Sequence, residues 1–163
     1  MPSGQFVRPA SIGTGRYMVQ SDAHARVASP IDGGPNVDIA KTYRIAAPRA
    51  LVWGALTNPV HIETWSGAPA IMSDQPGTDF VLWDGDVRGR NLEVEPERRL
   101  VQEWYGGDWD EPSIATFTLW DVDGGGTFLE LFHTNVPDDE GADFDTGWDD
   151  YYLGPMKRLL EAS

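Results

Sequence analysis

His133 closes the alternating run Gly126-Thr-Phe-Leu-Glu-Leu-Phe-His133 and shares a side of that extended segment with Leu129 and Leu131. An imidazole titrates near neutral pH, so here it suits binding or protonating a ligand. The plainer alternative is a core histidine bonded to a backbone carbonyl. Glu93 is the second candidate, because a carboxylate whose pKa rises on burial can act as a general base. A register shift of one residue would instead place it in solvent. Neither has a recognisable partner in the sequence. There is no Gly-x-Ser-x-Gly and no cysteine, which removes the serine-elbow and thiolate routes and any disulfide framework. Any catalysis is therefore expected to be proton transfer through His133 or Glu93.

Aromatic residues form the larger candidate group. The chain has seven tryptophans, and rings of this kind each bury roughly 150–250 Å², lining a hollow or filling a core equally well. Trp53 and Trp104 read as core. Trp148 and Tyr152, beside Gly154-Pro155, read as pocket lining, since a kinked helix leaves room beneath it. Metal sites are not expected: Asp121-Val-Asp123-Gly-Gly-Gly126 has glycine and phenylalanine (Gly125, Phe132) where a calcium loop needs oxygen ligands, and reads as a hairpin turn. His24, His61 and His133 lie on separate elements without paired spacing. Gly13-Thr-Gly15 lacks the third glycine and the strand–helix frame of a dinucleotide site. No cofactor is expected.

The elements that hold these residues follow from periodicity. Val37, Ile39, Lys41, Tyr43 and Ile45 alternate with polar residues, as in a half-buried strand. Pro48 and Asn58-Pro59 then start two short helices, about Arg49–Leu56 and Val60–Thr64, with Leu51, Val52, Ala55 and Leu56 on one apolar face. Six strands are expected next: Ala70–Ser73, Asp79–Trp83, Val87–Val94, Leu100–Tyr105, Ser113–Val122 and Thr127–Thr134. Turn residues separate them at spacings suited to an antiparallel meander. From about Asp143 to Ala162, Trp148, Tyr152, Met156 and Leu159 or Leu160 share one helical face, and Gly154-Pro155 should kink that helix. A long curved sheet has only this helix to cover its concave face.

The fold class is thus α+β, a curved antiparallel sheet of six to seven strands around a long C-terminal helix. Alternation turns Ala115, Phe117 and Leu119 inward opposite Leu129, Leu131 and His133, with Leu100, Gln102 and Trp104 on the next strand and Phe80 and Leu82 beyond. A mainly apolar hollow with a few polar groups is the usual form of a small-molecule pocket. The expected lining is Trp65, Phe80, Leu82, Gln102, Trp104, Phe117, Leu131, His133, Trp148 and Tyr152.

Length and charge bound the rest. The 163 residues carry 12 Lys plus Arg against 26 Asp plus Glu, a net charge of −14. Such a field repels nucleic-acid backbones and anionic membranes, so neither is expected as a partner. No apolar run is long enough to span a bilayer and no secretory signal is visible, which points to the cytoplasm. Residues 1–36 are rich in Gly, Ser, Pro and Ala and read as an extension, loosely ordered or laid across the domain, with Phe6, Tyr17 and Met18 as its apolar anchors. Residues 37–163 form the domain.

Certain motifs match a known family. Ala47-Pro48 with Val52-Trp53 and Ala55-Leu56-Thr57 leads to Trp65 after the second helix. Asp84-Gly85, Gly89, Glu93-Val94-Glu95-Pro96, Leu100-Val101 and Trp104 continue the series. Gly126-Thr127-x-Leu129-x-Leu131-x-His133 and Gly147-Trp148 complete it. From about Asp38 onward the chain resembles the domain of activators of the ninety-kilodalton heat-shock protein ATPase and their bacterial homologues, within the START-like (SRPBCC) superfamily. The resemblance implies the helix-grip fold of the birch-pollen allergen. With the inward apolar set it makes the leading expectation a protein that binds a small apolar or aromatic ligand between sheet and helix. The alternatives are an enzyme of the cyclase, dehydratase or hydrolase kind using His133 or Glu93, and an interaction module with a protein partner such as a chaperone.

Overall fold

The computed structural model describes residues 36–162. The extension read into residues 1–36, with Phe6, Tyr17 and Met18, lies outside the described residues except for Asn36. Strand β1 (Asn36–Ile45) buries Ile39 and Ile45 and half-buries Lys41 and Tyr43 on the same side, as its alternation dictates. Helix α1 (Arg49–Thr57) starts after Pro48, whose ring holds an extended backbone at φ −69°. Val52, Ala55 and Leu56 are buried, but Leu51, expected beside them, is 47% exposed. Helix α2 (Pro59–Ser66) opens as its sequence requires, with Pro59 in the first turn and the Asn58 side chain accepting the Val60 N–H at 2.9 Å. The Trp65 indole donates to the Ala55 carbonyl at 2.9 Å and fixes the two helices together.

Five further strands complete the sheet: β2 (Asp79–Leu82), β3 (Val87–Glu95), β4 (Arg99–Gly106), β5 (Ser113–Val122) and β6 (Gly126–Pro137). They pair antiparallel in the order β1-β6-β5-β4-β3-β2. The strand expected at Ala70–Ser73 reduces to a bridge between Ile71 and Val81, so the sheet has six strands. Ala115 lies opposite His133, Phe117 opposite Leu131 and Leu119 opposite Leu129, and all six are buried. At Gly89 the backbone of β3 passes so close to the Phe80 ring and the Glu103 carbonyl that a Cβ has no room.

After a turn at Asp138–Glu140 the chain runs as helix α3 (Gly141–Gly147), a wider π-helical stretch (Trp148–Leu153) and helix α4 (Gly154–Ala162). Pro155 has no N–H to continue the α-helical ladder. The turn before it widens, and the Gly154 N–H reaches back five residues to the Asp149 carbonyl. A Cβ on Gly154 would collide with that same carbonyl oxygen. The expected interruption is therefore a π-turn within a continuing helix. Phe144, Trp148, Tyr152 and Met156 are fully buried along its inner face, so the helix lies in the grip of the curved sheet.

Candidate functional site

All ten side chains expected to line a hollow lie in the interior, and none is more than 7% exposed. They pack on one another. Tyr152 stands 4.6 Å from Trp65 and 4.7 Å from Trp148, ring centre to centre, and Trp104 stands 4.7 Å from Trp148. Phe117 stacks on Tyr152 at 5.8 Å, and Phe80 reaches Trp104 at 6.2 Å. Trp83 joins them 6.0 Å from Tyr152. It does so from a left-handed backbone with φ 49°, an uncommon state for a bulky residue. Spacings of 4.5–7 Å are those of rings in contact.

His133 is fully buried and bonded at both ring nitrogens. The Trp148 indole N–H donates to Nδ1 at 3.0 Å. An indole nitrogen can only donate, so Nδ1 carries the lone pair and Nε2 the proton. Nε2 lies 2.7 Å from Ser113 Oγ and donates to it, while the Ser113 hydroxyl donates to the Trp104 carbonyl at 2.9 Å. The relay ends on the backbone. A nucleophile–base pair needs the opposite direction, with the histidine accepting the serine proton. Burial also pulls the His133 pKa down to about 3, so the ring is neutral at physiological pH. The core-histidine alternative holds, with Ser113 and Trp148 in place of a backbone carbonyl.

Gln102 is likewise satisfied from within. Its Oε1 accepts the Trp104 indole at 2.8 Å, and its Nε2 donates to Asn91 Oδ1 at 2.8 Å. Asn91 in turn donates to the Ser73 carbonyl at 3.0 Å. Tyr152 is different: among the described residues its buried hydroxyl has no hydrogen-bond partner. Burial raises its pKa well above the ordinary phenol value.

Glu93 is corrected by the structure. Its side chain is 58% exposed and pairs with Arg99 at 2.6 Å. The β3–β4 register shifts between Asn91 and Glu93. One extra residue there, Leu92, reverses the alternation, so that Asn91 and Val94 face inward and Glu93 faces out. Strict alternation from Val87 through Gly89 and Asn91 would have turned it inward.

The alternation of β5 and β3, taken one step further, reaches Ser113 and Asn91, which complete the two polar relays. A third cluster joins β1 to the C-terminal helix. Lys41 Nζ bridges Asp145 at 2.7 Å and Asp149 at 2.8 Å, and the Tyr43 hydroxyl donates to Asp149 at 2.5 Å. Burial pulls Lys41 down, but hydrogen bonds and charge from both aspartates outweigh it and raise its pKa. Its sequence signal is Lys41 and Tyr43 on the inward side of β1, facing two acids one helical turn apart.

A six-stranded antiparallel sheet gripping a C-terminal helix through an aromatic interior defines a START-like helix-grip protein. Residues 46–161 match the family described as Activator of Hsp90 ATPase homolog 1-like protein, and the chain belongs to that family. An uncharacterized protein of Schizosaccharomyces pombe is 30% identical over 125 residues, which cover 76% of this chain and 37% of that protein. Activator of 90 kDa heat shock protein ATPase homolog 1 of Homo sapiens is 31% identical over 100 residues, 61% of this chain and 30% of its own length. The chain thus spans about a third of the length of these curated relatives. Among solved structures, an HSP90 activator from Plasmodium falciparum superposes with a TM-score of 0.71 at 23% identity, covering 77% of this chain and 96% of that one. CalU16 from Micromonospora echinospora gives a TM-score of 0.66 at 28% identity, covering 81% and 79%. No helix among the described residues is long and apolar enough to cross a membrane.

Proposed function

We propose that this chain is a protein-binding module that associates with a chaperone of the Hsp90 class in the cytoplasm, its aromatic interior serving as scaffold. The observation that carries this is the ring-on-ring packing inside the grip among the described residues. The side chains expected to line a hollow pack ring on ring, and of their polar groups Tyr152 alone lacks a bond. Proton transfer finds little support, since Glu93 faces solvent and both nitrogens of His133 are committed. Family membership supplies the partner class, because a human relative is named for activating the 90 kDa heat-shock protein ATPase. The test is calorimetric titration of the full chain into an Hsp90-class chaperone, with the chaperone's ATP turnover followed in parallel. Micromolar association with a changed turnover is expected; absence of binding in every nucleotide state would overturn the proposal.

One observation favours a small-molecule ligand instead. A buried hydroxyl left unbonded costs about 1–3 kcal/mol, and a ligand atom beside Tyr152 would recover that. An apolar or aromatic compound with a single polar group is the matching class. A thermal-shift screen of such compounds on wild-type and Tyr152→Phe protein separates the two readings, since only a ligand held by the hydroxyl loses its shift in the variant.

A further inference from the structure

The outer face of the sheet carries a solvent-open hollow of about 350 Å³ across β2, β3 and β4. Two rows of side chains wall it. Asp79, Arg90 and Glu103 form one row, and Val81, Arg88 and Tyr105 the other, about 7 Å away along the strands. Gly89 lies between the rows and contributes no side chain.

The two arginines are each anchored at one end. Arg88 lies over the Tyr105 ring, 4.8 Å from its centre, and its Nη1 donates to the Gly107 carbonyl at 3.1 Å. Both partners are neutral, and no carboxylate among the described residues pairs with Arg88. Arg90 is held through Nε by Asp79 at 3.1 Å, and its side chain stays about half exposed. A guanidinium fork fits a carboxylate through two parallel bonds. Placing two forks two residues apart is notable in a chain with only 12 cations and a net charge of −14. Glu103 lies on the Arg90 row, so an incoming acid is favoured at Arg88 and repelled one row along, which sets a register.

We propose that this hollow is the contact point for a carboxylate-bearing segment of the protein partner, with one acidic side chain paired to Arg88. The proposal rests on the protein-binding reading above and locates its contact. An enclosed small molecule buries most of its surface in its pocket. A shallow, open hollow suits side chains presented by a docked chain.

The test follows the Arg88 Nε and Gly89 amide signals by NMR as the full chain is titrated with a short peptide of alternating Glu and Gly. A Lys-for-Glu counterpart and acetate serve as comparisons. At physiological ionic strength the screening length is about 8 Å, so the net charge of the chain is damped beyond the hollow. The glutamate peptide should move both signals and the lysine peptide neither. Arg88→Glu should weaken binding by about tenfold or more, and Arg88→Lys by less. Equal shifts from both peptides would overturn the proposal, as would acetate matching the peptide at equal carboxylate concentration. Against the chaperone itself, unchanged affinity of Arg88→Glu would overturn the docking site and leave the protein-binding reading standing. Failure of wild type to bind the chaperone would sink that broader reading, while the peptide titration still reports on the hollow.

Discussion

Trp148 donates its indole N–H to Nδ1 of His133 at 3.0 Å, across the gap between the C-terminal helix and β6. That contact fixes the imidazole tautomer and, through it, the direction of the relay to Ser113 and Trp104. It also pins the helix to the sheet. A histidine that looks reactive in the sequence is thereby a structural link.

The stability of the fold should fall as pH drops from about 6.5 towards 3. The His133 pKa is about 3 in the folded chain against an ordinary 6.5. Above 6.5 both states are neutral and the group contributes nothing. Below it the unfolded chain takes a proton that the folded chain refuses, at up to about 1.4 kcal/mol per pH unit. Urea midpoints measured through this window should decline, and the His133 Cε1 proton should stay flat under NMR titration. A His133 resonance titrating near 6.5 would show a ring open to water.

Tyr152→Phe should stabilise the protein. The substitution removes a buried hydroxyl without a partner and keeps the ring among Trp65, Trp148 and Phe117. A gain of about 1 kcal/mol corresponds to a melting temperature roughly 3–5 °C higher. A loss of stability would mean that the hydroxyl is bonded in solution.

Asp149→Ala should loosen the C-terminal helix from β1. The carboxylate holds both Lys41 and Tyr43, but it is 44% exposed, so the expected cost is about 1–2 kcal/mol. Burial pushes the Asp149 pKa up, and the bonds from Lys41 and Tyr43 overcome this and hold it below the usual carboxylate range. Its contribution is present above the ordinary value and lost as pH falls below that value, a lower window than that of His133. Hydrogen exchange should quicken first in the π-helical stretch; uniform exchange rates across variant and wild type would contradict the latch.

Gly154→Ala should be severely destabilising although alanine is the better helix former. The new methyl would meet the Asp149 carbonyl oxygen, and relieving it means undoing the π-turn that accommodates Pro155. A drop of about 2 kcal/mol or more in chemical denaturation is expected. A neutral result would show the turn to be ordinary α-helix.

Glu93→Gln should change little. Exposed ion pairs such as Glu93–Arg99 contribute about 0–1 kcal/mol. Stability and chaperone association should both match wild type, and loss of either would restore a role for this carboxylate.

Alternation, proline placement and helical spacing were enough to read β5, β6, both short helices and the inner face of the C-terminal helix, because each pattern is local and repeats over many residues. The inward sets on β4, β5 and β6 follow from period two, which β4 and β5 keep and β6 keeps as far as His133. Glu93 escaped this logic because an extra residue at Leu92 reverses the faces of β3, and nothing local in the sequence marks a bulge. The kink at Gly154-Pro155 was legible as an interruption. Its form as a π-turn, with the Gly154 N–H on the Asp149 carbonyl, was seen only in the structure.

By itself the sequence determined the order of elements, the faces of the regular strands, the apolar stripe of the last helix and the family. Those are consequences of period and of residue chemistry acting within a few positions. The tertiary structure alone decided that the inward rings pack on one another, which way the proton of His133 points, and that Arg88 and Tyr105 meet beside an open hollow. Such outcomes depend on distances between residues far apart in the chain, which become defined only when the curved sheet and its helix are packed together.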